Sequence, residues 1–128
     1  MRQLISSGTK WESEVGYSRA VVQKPFAFVS GTTAVGKSGE VIGKGDASAQ
    51  ADFVYHKIKM TLEKADFTLE DVVRVRIFVI NIGDFEEISK IHHKYFSNIR
   101  PVATLVEVSK FVNPDLLVEI EADALLKD

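Results

Sequence analysis

Residues 100–108 read RPVATLVEV and residues 117–125 read LVEIEADAL, near the C-terminal end of a chain of 128 residues. Both segments alternate aliphatic residues with other types at a period of two, which is typical of β-strands that present two different faces. Residues 72–80 (VVRVRIFVI) and 26–34 (FAFVSGTTA) are two further segments of strand character, and residues 21–22 can form a hairpin with the latter. The sequence therefore predicts a β-sheet built from strands distributed along the whole chain.

Two helices are predicted between these strands. Residues 47–65 carry apolar side chains at intervals of three and four, which form one stripe along a helix, and Asp46 is suited to cap its first turn. The stripe consists of Ala47, Ala51, Val54, Ile58, Leu62 and Ala65. Residues 85–96 predict the second helix. A sheet backed by two helices is an α+β arrangement, and the length predicts a single domain over residues 1–128.

The composition excludes several classes of function. The chain has no cysteine, so disulfides and thiolate catalysis are excluded, and its net charge of −2 gives no general attraction to nucleic acid. No apolar run approaches the roughly 18 residues that span a membrane, and no apolar signal segment opens the chain, so we expect a cytoplasmic protein without a membrane partner. Phosphate-binding glycine motifs are absent, and the three histidines are not spaced to chelate a metal. We therefore expect neither a cofactor nor a metal.

The second face of the predicted sheet mixes charged with large apolar side chains. Strand alternation assigns to it Arg74, Arg76, Ala103, Glu107, Glu119, Glu121 and Asp123 together with Phe78, Leu105, Leu117 and Leu125. Thr104 is assigned to the opposite, helix-covered face. Such a mixture favours a face covered by further copies of the chain, with the charges paired or lining clefts. The alternative is a water-exposed face with weak cross-strand Arg–Glu pairs.

A set of short motifs resembles the Rid (YjgF) family of reactive-intermediate deaminases over nearly the whole chain. The motifs occur in the family's order, at residues 16–22 (GYSRAVV), 28–34 (FVSGTTA), 43–46 (GKGD), 71–74 (DVVR) and in the two C-terminal segments. The resemblance implies a chorismate-mutase-like fold, a mixed β-sheet backed by two helices. It also implies a homotrimer with a barrel-like core and a cleft for a small-molecule metabolite at each subunit interface.

The resemblance also implies roles for particular residues. Deaminases of the family use a glutamate in the last strand to orient a water, a Ser-Gly turn to position the substrate, and a tyrosine to close the pocket. Matched position by position, these are Glu119, Ser30 with Gly31, and Tyr17. The family's carboxylate-binding arginine lies four residues before the glutamate of the first C-terminal segment, and that position is Ala103 here.

The loss of this arginine leaves alternatives open. A charge-assisted hydrogen bond to a carboxylate contributes about 1.5–3 kcal/mol, so an anionic substrate loses its main anchor. Arg100, just before the strand, or Arg19, just after Tyr17, can reach the cleft instead, and the simpler interpretation of both is a solvated surface arginine. Glu119 is either a general base beside a water or a salt-bridge partner of Arg74 or Arg76.

Three functions are compatible with these observations. The first is hydrolysis of reactive imine or enamine metabolites in the interface cleft, with Glu119 as the catalytic residue and Tyr17, Ser30, Gly31, Ala103 and Arg100 around the substrate. The second is a trimer that binds a metabolite without transforming it. The third, ribonuclease or translation-inhibitor activity, is least favoured because the chain is mildly acidic.

Overall fold

A computed structural model describes residues 1–127. In these residues a six-stranded mixed sheet, in the order β1-β2-β3-β6-β4-β5, is covered on one face by two long helices, α2 and α3. Neighbouring strands are antiparallel except β4 and β5, which are parallel. The elements in chain order are β1 (Gln3–Ile5), α1 (Lys10–Val15), β2 (Ala20–Gln23), β3 (Phe26–Thr33), α2 (Ala47–Glu63), β4 (Val72–Val79), α3 (Phe85–Phe96), β5 (Val102–Glu107) and β6 (Val118–Leu125). The predicted α+β class is confirmed.

The predicted helix beginning at residue 47 is confirmed together with its cap and its apolar stripe. The Asp46 side chain accepts a hydrogen bond from the Ala49 N–H at 3.0 Å, and every member of the stripe is at most 4% exposed. Two elements at the N-terminus, β1 and α1, were not predicted, because three and six residues are too few to show a period. No helix within residues 1–127 combines the length and apolar character needed to cross a bilayer.

The hydrophobic core lies between the helices and one face of the sheet. Val75 and Val79 of β4, and Val118 and Ile120 of β6, are completely buried there. The strand pairing places their neighbours in sequence on the other face, which we call the open face. Across β4 and β6, Phe78 pairs with Glu119, while Arg76 and Arg74 pair with Glu121 and Asp123.

The open face carries both charges and large apolar side chains, as predicted. Arg76 Nη1 lies 3.0 Å from Glu121 Oε1 and 3.5 Å from Asp123 Oδ2. On the neighbouring strand β3, Phe26 and Phe28 stack with ring centroids 6.0 Å apart, and both residues are nearly half exposed. A cluster of exposed aromatic rings beside paired charges is typical of a surface that another protein covers.

The predicted facing of β5 is wrong. In the parallel pair of β4 and β5, Ala103 lies beside the buried Val75, and Thr104 lies beside Arg76 on the open face. The helix side of the strand accordingly carries Ala103, Leu105 and Glu107. The error arises because β5 is an edge strand whose valines, Val102 and Val106, are 59% and 42% exposed on the open face. Valines at a period of two indicate a core face and an interface face equally well.

Gln50 ties helix α2 to the loop that leads into β6. Its side-chain amide is completely buried and makes three hydrogen bonds, donating to the carbonyls of Gly43 (3.2 Å) and Asp115 (3.0 Å) and accepting from the Leu117 N–H (2.8 Å). Because Leu117 is two residues before Glu119, this amide helps to fix the start of the strand that carries the carboxylate.

We expect Gln50→Leu to lower the free energy of unfolding by about 3 kcal/mol or more, because it leaves buried backbone groups without partners at about 1–3 kcal/mol each. Urea unfolding followed by far-UV circular dichroism at one chain concentration measures the change. The matched control is Gln23→Leu, at an exposed position of β2, for which we expect less than about 0.5 kcal/mol. Equal stability of the two variants would contradict this role for Gln50.

Candidate functional site

The carboxylate of Glu119 lies against a bulge in strand β3. The pairing of β3 with β6 shifts between Val29 and Thr32, so that Ser30 and Gly31 leave the regular ladder. A Cβ atom at position 31 would overlap the carboxylate of Glu119. Glycine therefore permits a close approach between the backbone and this carboxylate, which a larger residue would displace.

Glu119 is not used in the ion pairs of the open face. Within residues 1–127 its neighbours Arg74 and Arg76 pair with Asp123 and Glu121, and Glu119 makes no ion pair. The salt-bridge interpretation of Glu119 is therefore wrong in this structure. Burial raises the pKa of Glu119 above its ordinary value; the Arg19 charge opposes this effect and the Glu121 charge adds to it. The carboxylate is thus partly desolvated and free to accept a proton.

Arg19 lies on the other side of Gly31, and it is not a surface arginine. Its side chain is only 9% exposed, so the simpler interpretation of this residue is wrong. Nη2 donates a hydrogen bond to the Gly31 carbonyl at 2.5 Å, and Nε is buried without any hydrogen-bond partner in residues 1–127. Burial lowers the pKa of Arg19, and the anionic Glu12 and Glu119 oppose this shift. An arginine nevertheless remains protonated at physiological pH.

Glu12 was missed by the sequence analysis. It is buried, and its Oε2 accepts hydrogen bonds from the Ser7 N–H at 3.0 Å and the Ser7 hydroxyl at 2.5 Å. Burial is the largest single influence on the pKa of Glu12 and acts to raise it. The hydrogen bonds together outweigh burial, so the pKa of Glu12 is lowered. The signal in the sequence was the spacing of Thr9 and Glu12, which is that of a helix capping box.

Ser30 lies in the bulge, and Tyr17 lies in the segment that is hydrogen-bonded to it. The Ser30 hydroxyl donates to the Ser18 carbonyl at 2.6 Å, and this bond joins β3 to the segment that carries Tyr17 and Arg19. Tyr17 is 41% exposed and lines an open depression of about 570 Å³ that also contains Glu12 and Ser18. Neither Glu119 nor the Ser30–Gly31 bulge is among the residues that line this depression.

Arg100 and Ala103 do not join this group within one chain. Val102, next but one after Arg100, pairs with Arg74, whereas Glu119 pairs with Phe78, four residues further along β4. This offset corresponds to about 13 Å along the strand. Ala103 lies on the helix side of the sheet, and Glu119 lies on the open face. Arg100 instead lines a second depression of about 680 Å³ at the opposite end of the sheet.

The histidines are not assembled into a metal site. Among residues 1–127 no group of three or more histidine, aspartate or glutamate side chains is placed to hold a metal ion. His92 instead forms a 2.7 Å hydrogen bond through Nδ1 with the hydroxyl of the buried Tyr55. This pair joins α3 to α2 and is remote in the fold from Glu119, which lies on the open face.

The comparisons with known proteins agree with this fold. The chain is similar over 98% of its length to Rv2704 of Mycobacterium tuberculosis, described as a member of the YjgF/YER057c/UK114 family, with a TM-score of 0.89, 44% identity and 100% of that chain covered. It is 36% identical to the RutC family protein PH0854 of Pyrococcus horikoshii, over 84% of this chain and 85% of that protein. It is also 33% identical to the 3-aminoacrylate deaminase RutC of Acinetobacter baylyi, over 84% of this chain and 85% of that protein.

The family assignment rests on almost the whole chain. Residues 8–126 match the family described as Endoribonuclease L-PSP, a range that contains Tyr17, the Ser30–Gly31 bulge and Glu119. The same range contains Ala103, at the position of the carboxylate-binding arginine in the predicted resemblance. The chain therefore belongs to the Endoribonuclease L-PSP family, the family also called Rid or YjgF.

Proposed function

We propose that this chain hydrolyses small reactive imines or their enamine tautomers in clefts formed between three copies of the chain. The observation that carries the proposal is the Glu119 carboxylate, which is partly buried, makes no ion pair within residues 1–127 and lies against the backbone of Gly31, where a Cβ atom would displace it. The name of the similar RutC protein, a 3-aminoacrylate deaminase, supports an enamine or imine as the class of substrate.

The chemistry requires one water and one proton acceptor. Glu119 takes a proton from water while the water oxygen forms a bond to the imine carbon, and the C=N electron pair moves to nitrogen, which accepts a proton from the protonated Glu119. The carbon–nitrogen bond of the resulting carbinolamine then breaks as Glu119 takes the hydroxyl proton, the carbonyl forms and the leaving nitrogen accepts that proton from Glu119. The products are one carbonyl compound and one ammonia. A carboxyl group with a raised pKa suits both proton transfers.

The proposed assembly uses the open face as its interface, with two further copies of the same chain as the partners. Half-exposed aromatic rings at Phe26 and Phe28 adjoin the charges of Arg76 and Glu121, so the surface offers apolar area and charges of both signs to an identical surface. Copies that cover this face would remove Glu119 from bulk water and close the open side of the depression at Tyr17. Three copies are what the family resemblance implies.

Ammonia release from a panel of imines tests the proposed activity. An amino-acid oxidase generates the imines in place, and the rate with the chain present is compared with the rate in the oxidase alone. Faster release for at least one imine supports the proposal. Rates equal to the oxidase control across imino acids and across carboxylate-free imines made by an amine oxidase would refute it.

A second candidate function, metabolite binding without turnover, is favoured by the alanine at position 103. A cleft without the family's arginine lacks the group that orients an anionic substrate. A ligand that raises the melting temperature and is recovered chemically unchanged, while no imine is hydrolysed, would favour this function.

We expect Ala103→Arg to lower the KM for an imino acid by about tenfold, the effect of one added charge-assisted bond. In one chain Ala103 and Glu119 lie on opposite faces of the sheet, so this gain requires that the exposed Ala103, at the edge strand β5 of a neighbouring copy, lies beside Glu119. Steady-state kinetics with an imino acid and with the corresponding carboxylate-free imine measure the effect. An unchanged KM for both substrates would contradict a cleft shared between β5 and β6.

A further inference from the structure

Arg19 holds the bulge of β3 at two points. Its backbone carbonyl accepts a hydrogen bond from the Ser30 N–H at 3.0 Å, and its side-chain Nη2 donates one to the Gly31 carbonyl at 2.5 Å. Ser30 and Gly31 are the residues that leave the ladder between β3 and β6. A single residue therefore fixes the backbone at both ends of the bulge.

The Glu119 side chain depends on this stretch of backbone for its position. Its carboxylate occupies the space that a Cβ atom at position 31 would fill, so it packs directly against Gly31. Arg19 and Glu119 thus contact the same residue, Arg19 at the carbonyl and Glu119 at the Cα. A shift of Gly31 would move the surface that supports the carboxylate, and a proton acceptor displaced by about 1 Å can lose about 10²-fold in rate.

The cation that influences Glu119 is Arg19, although the two side chains form no direct ion pair within residues 1–127. Burial raises the pKa of Glu119, the charge of Arg19 opposes that rise, and the charge of Glu121 adds to it. Strand β3 carries no charged side chain. The other charged side chains of β4 and β6 are engaged with one another, and they are Arg74, Arg76, Glu121 and Asp123. Arg19 is therefore placed to favour the ionised form of Glu119.

The buried charge of Arg19 costs stability, so holding the bulge alone does not account for it. The side chain is 9% exposed, and its Nε has no partner in residues 1–127. A neutral donor such as glutamine could hold a carbonyl without burying a charge. Two further charged groups influence Arg19 or are influenced by it, the anionic Glu12 and the cationic Lys57, whose Nζ donates to the Val35 carbonyl at 3.3 Å. Their charges are of opposite sign and oppose each other.

We infer that Arg19 is a positioning residue for Glu119: its guanidinium, anchored on the Gly31 carbonyl, holds the bulge against the Glu119 carboxylate and places a fixed positive charge near it. The inference rests on the proposed hydrolysis and adds to it a residue that touches no substrate. The positive charge favours the carboxylate form of Glu119, which is the form that takes a proton from water. An arginine suits this position because it stays protonated wherever the enzyme would work.

The kinetic test compares Arg19→Gln, Arg19→Lys and a control. We expect Arg19→Gln to move the acid limb of the rate to higher pH and to lower kcat by up to about 10²-fold, with little change in KM. Arg19→Lys keeps the charge and should keep the acid limb near that of the wild type. The matched control is Lys57→Gln, which removes a partly buried neighbouring cation and should leave both the acid limb and kcat unchanged. A raised KM at unchanged kcat in Arg19→Gln would contradict a positioning role.

A second readout needs no turnover. The titration of the Glu119 carboxyl, followed by ¹³C NMR and assigned by its absence in Glu119→Gln, should have a higher midpoint in Arg19→Gln and an unchanged one in Lys57→Gln. In the wild type, the ¹⁵N signal of the buried Arg19 Nε–H should shift with pH at the Glu119 midpoint, and Glu119→Gln should remove that shift.

The outcomes separate this inference from the proposed hydrolysis. A purely structural role for Arg19 predicts lower stability in Arg19→Gln with the Glu119 midpoint unchanged, and that result would overturn the inference. A wild-type Arg19 signal that does not follow the Glu119 titration would overturn it as well, even if Arg19→Gln does not fold. A raised midpoint in a chain that hydrolyses no imine would instead overturn the proposed hydrolysis and leave the positioning of Glu119 intact.

Discussion

Replacement of Glu119 by glutamine is expected to reduce imine hydrolysis by about 10²–10⁴-fold, the usual contribution of a positioned general acid or base. Glutamine keeps the shape of the side chain and its fit beside Gly31 but cannot take a proton from water. The rate of ammonia release at saturating imine measures the loss. The control is Glu63→Gln, an exposed glutamate at the end of α2, for which no change is expected.

The pH dependence of the wild-type rate adds an independent readout. Because burial raises the pKa of Glu119, the rate should begin to fall at a higher pH on acidification than an exposed glutamate would allow. Glu119→Gln should lose this acid limb. A raised folded-state pKa also means that ionised Glu119 costs stability above its pKa and that this cost disappears as the pH falls through it. The glutamine variant should therefore be at least as stable as the wild type at pH 7.

Gly31→Ala tests the same carboxylate without changing it. The added Cβ overlaps the end of the Glu119 side chain, which must move, whereas the backbone at Gly31 needs no positive φ angle. A comparable loss of rate with little loss of stability is expected. Full activity in Glu119→Gln at neutral pH would show that another group activates the water.

The second large effect is expected from Phe28→Asp, which should convert the proposed trimer into single chains and abolish turnover. Phe28 is 47% exposed at the open face, where it stacks on Phe26 and pairs across the ladder with Asp123. An aspartate there replaces apolar contact area with a charge that each interface would have to bury beside Asp123. Sedimentation equilibrium at micromolar concentration measures the mass.

Met60→Asp is the matched control for this change. Met60 is also 47% exposed, but it lies on α2, in the layer on the other side of the sheet. The control should keep the assembly and the activity. Retention of the wild-type mass by Phe28→Asp would contradict the open face as the interface, and loss of the assembly in both variants would show an effect of general destabilisation.

Much of the fold could be predicted because local patterns carry it. The apolar stripe of α2 recurs at a helical period within a helix of seventeen residues. The valines of β4 recur at a period of two within a strand of eight residues. The facing of β5 could not be predicted, because alternation is the same whichever face is buried. Only the pairing of Val75 with Ala103 decides it, and pairing is a contact between distant parts of the chain.

The site was predicted less completely for the same reason. The family resemblance, which is a property of the sequence, proposes Glu119, Ser30, Gly31 and Tyr17 as site residues. The burial of Arg19 depends on the carbonyl of Gly31, twelve residues away, and on the bulge that turns this carbonyl toward it. No local pattern distinguishes such an arginine from a solvated one.

The most direct test of the central claim is to measure imine hydrolysis across a size-exclusion profile of the wild-type chain. The claim is that Glu119 acts only where copies of the chain cover the open face. The account predicts that the activity elutes at the mass of three 14.2 kDa chains and that none elutes at the position of one chain. Activity that elutes with a folded single chain of 14.2 kDa would contradict it.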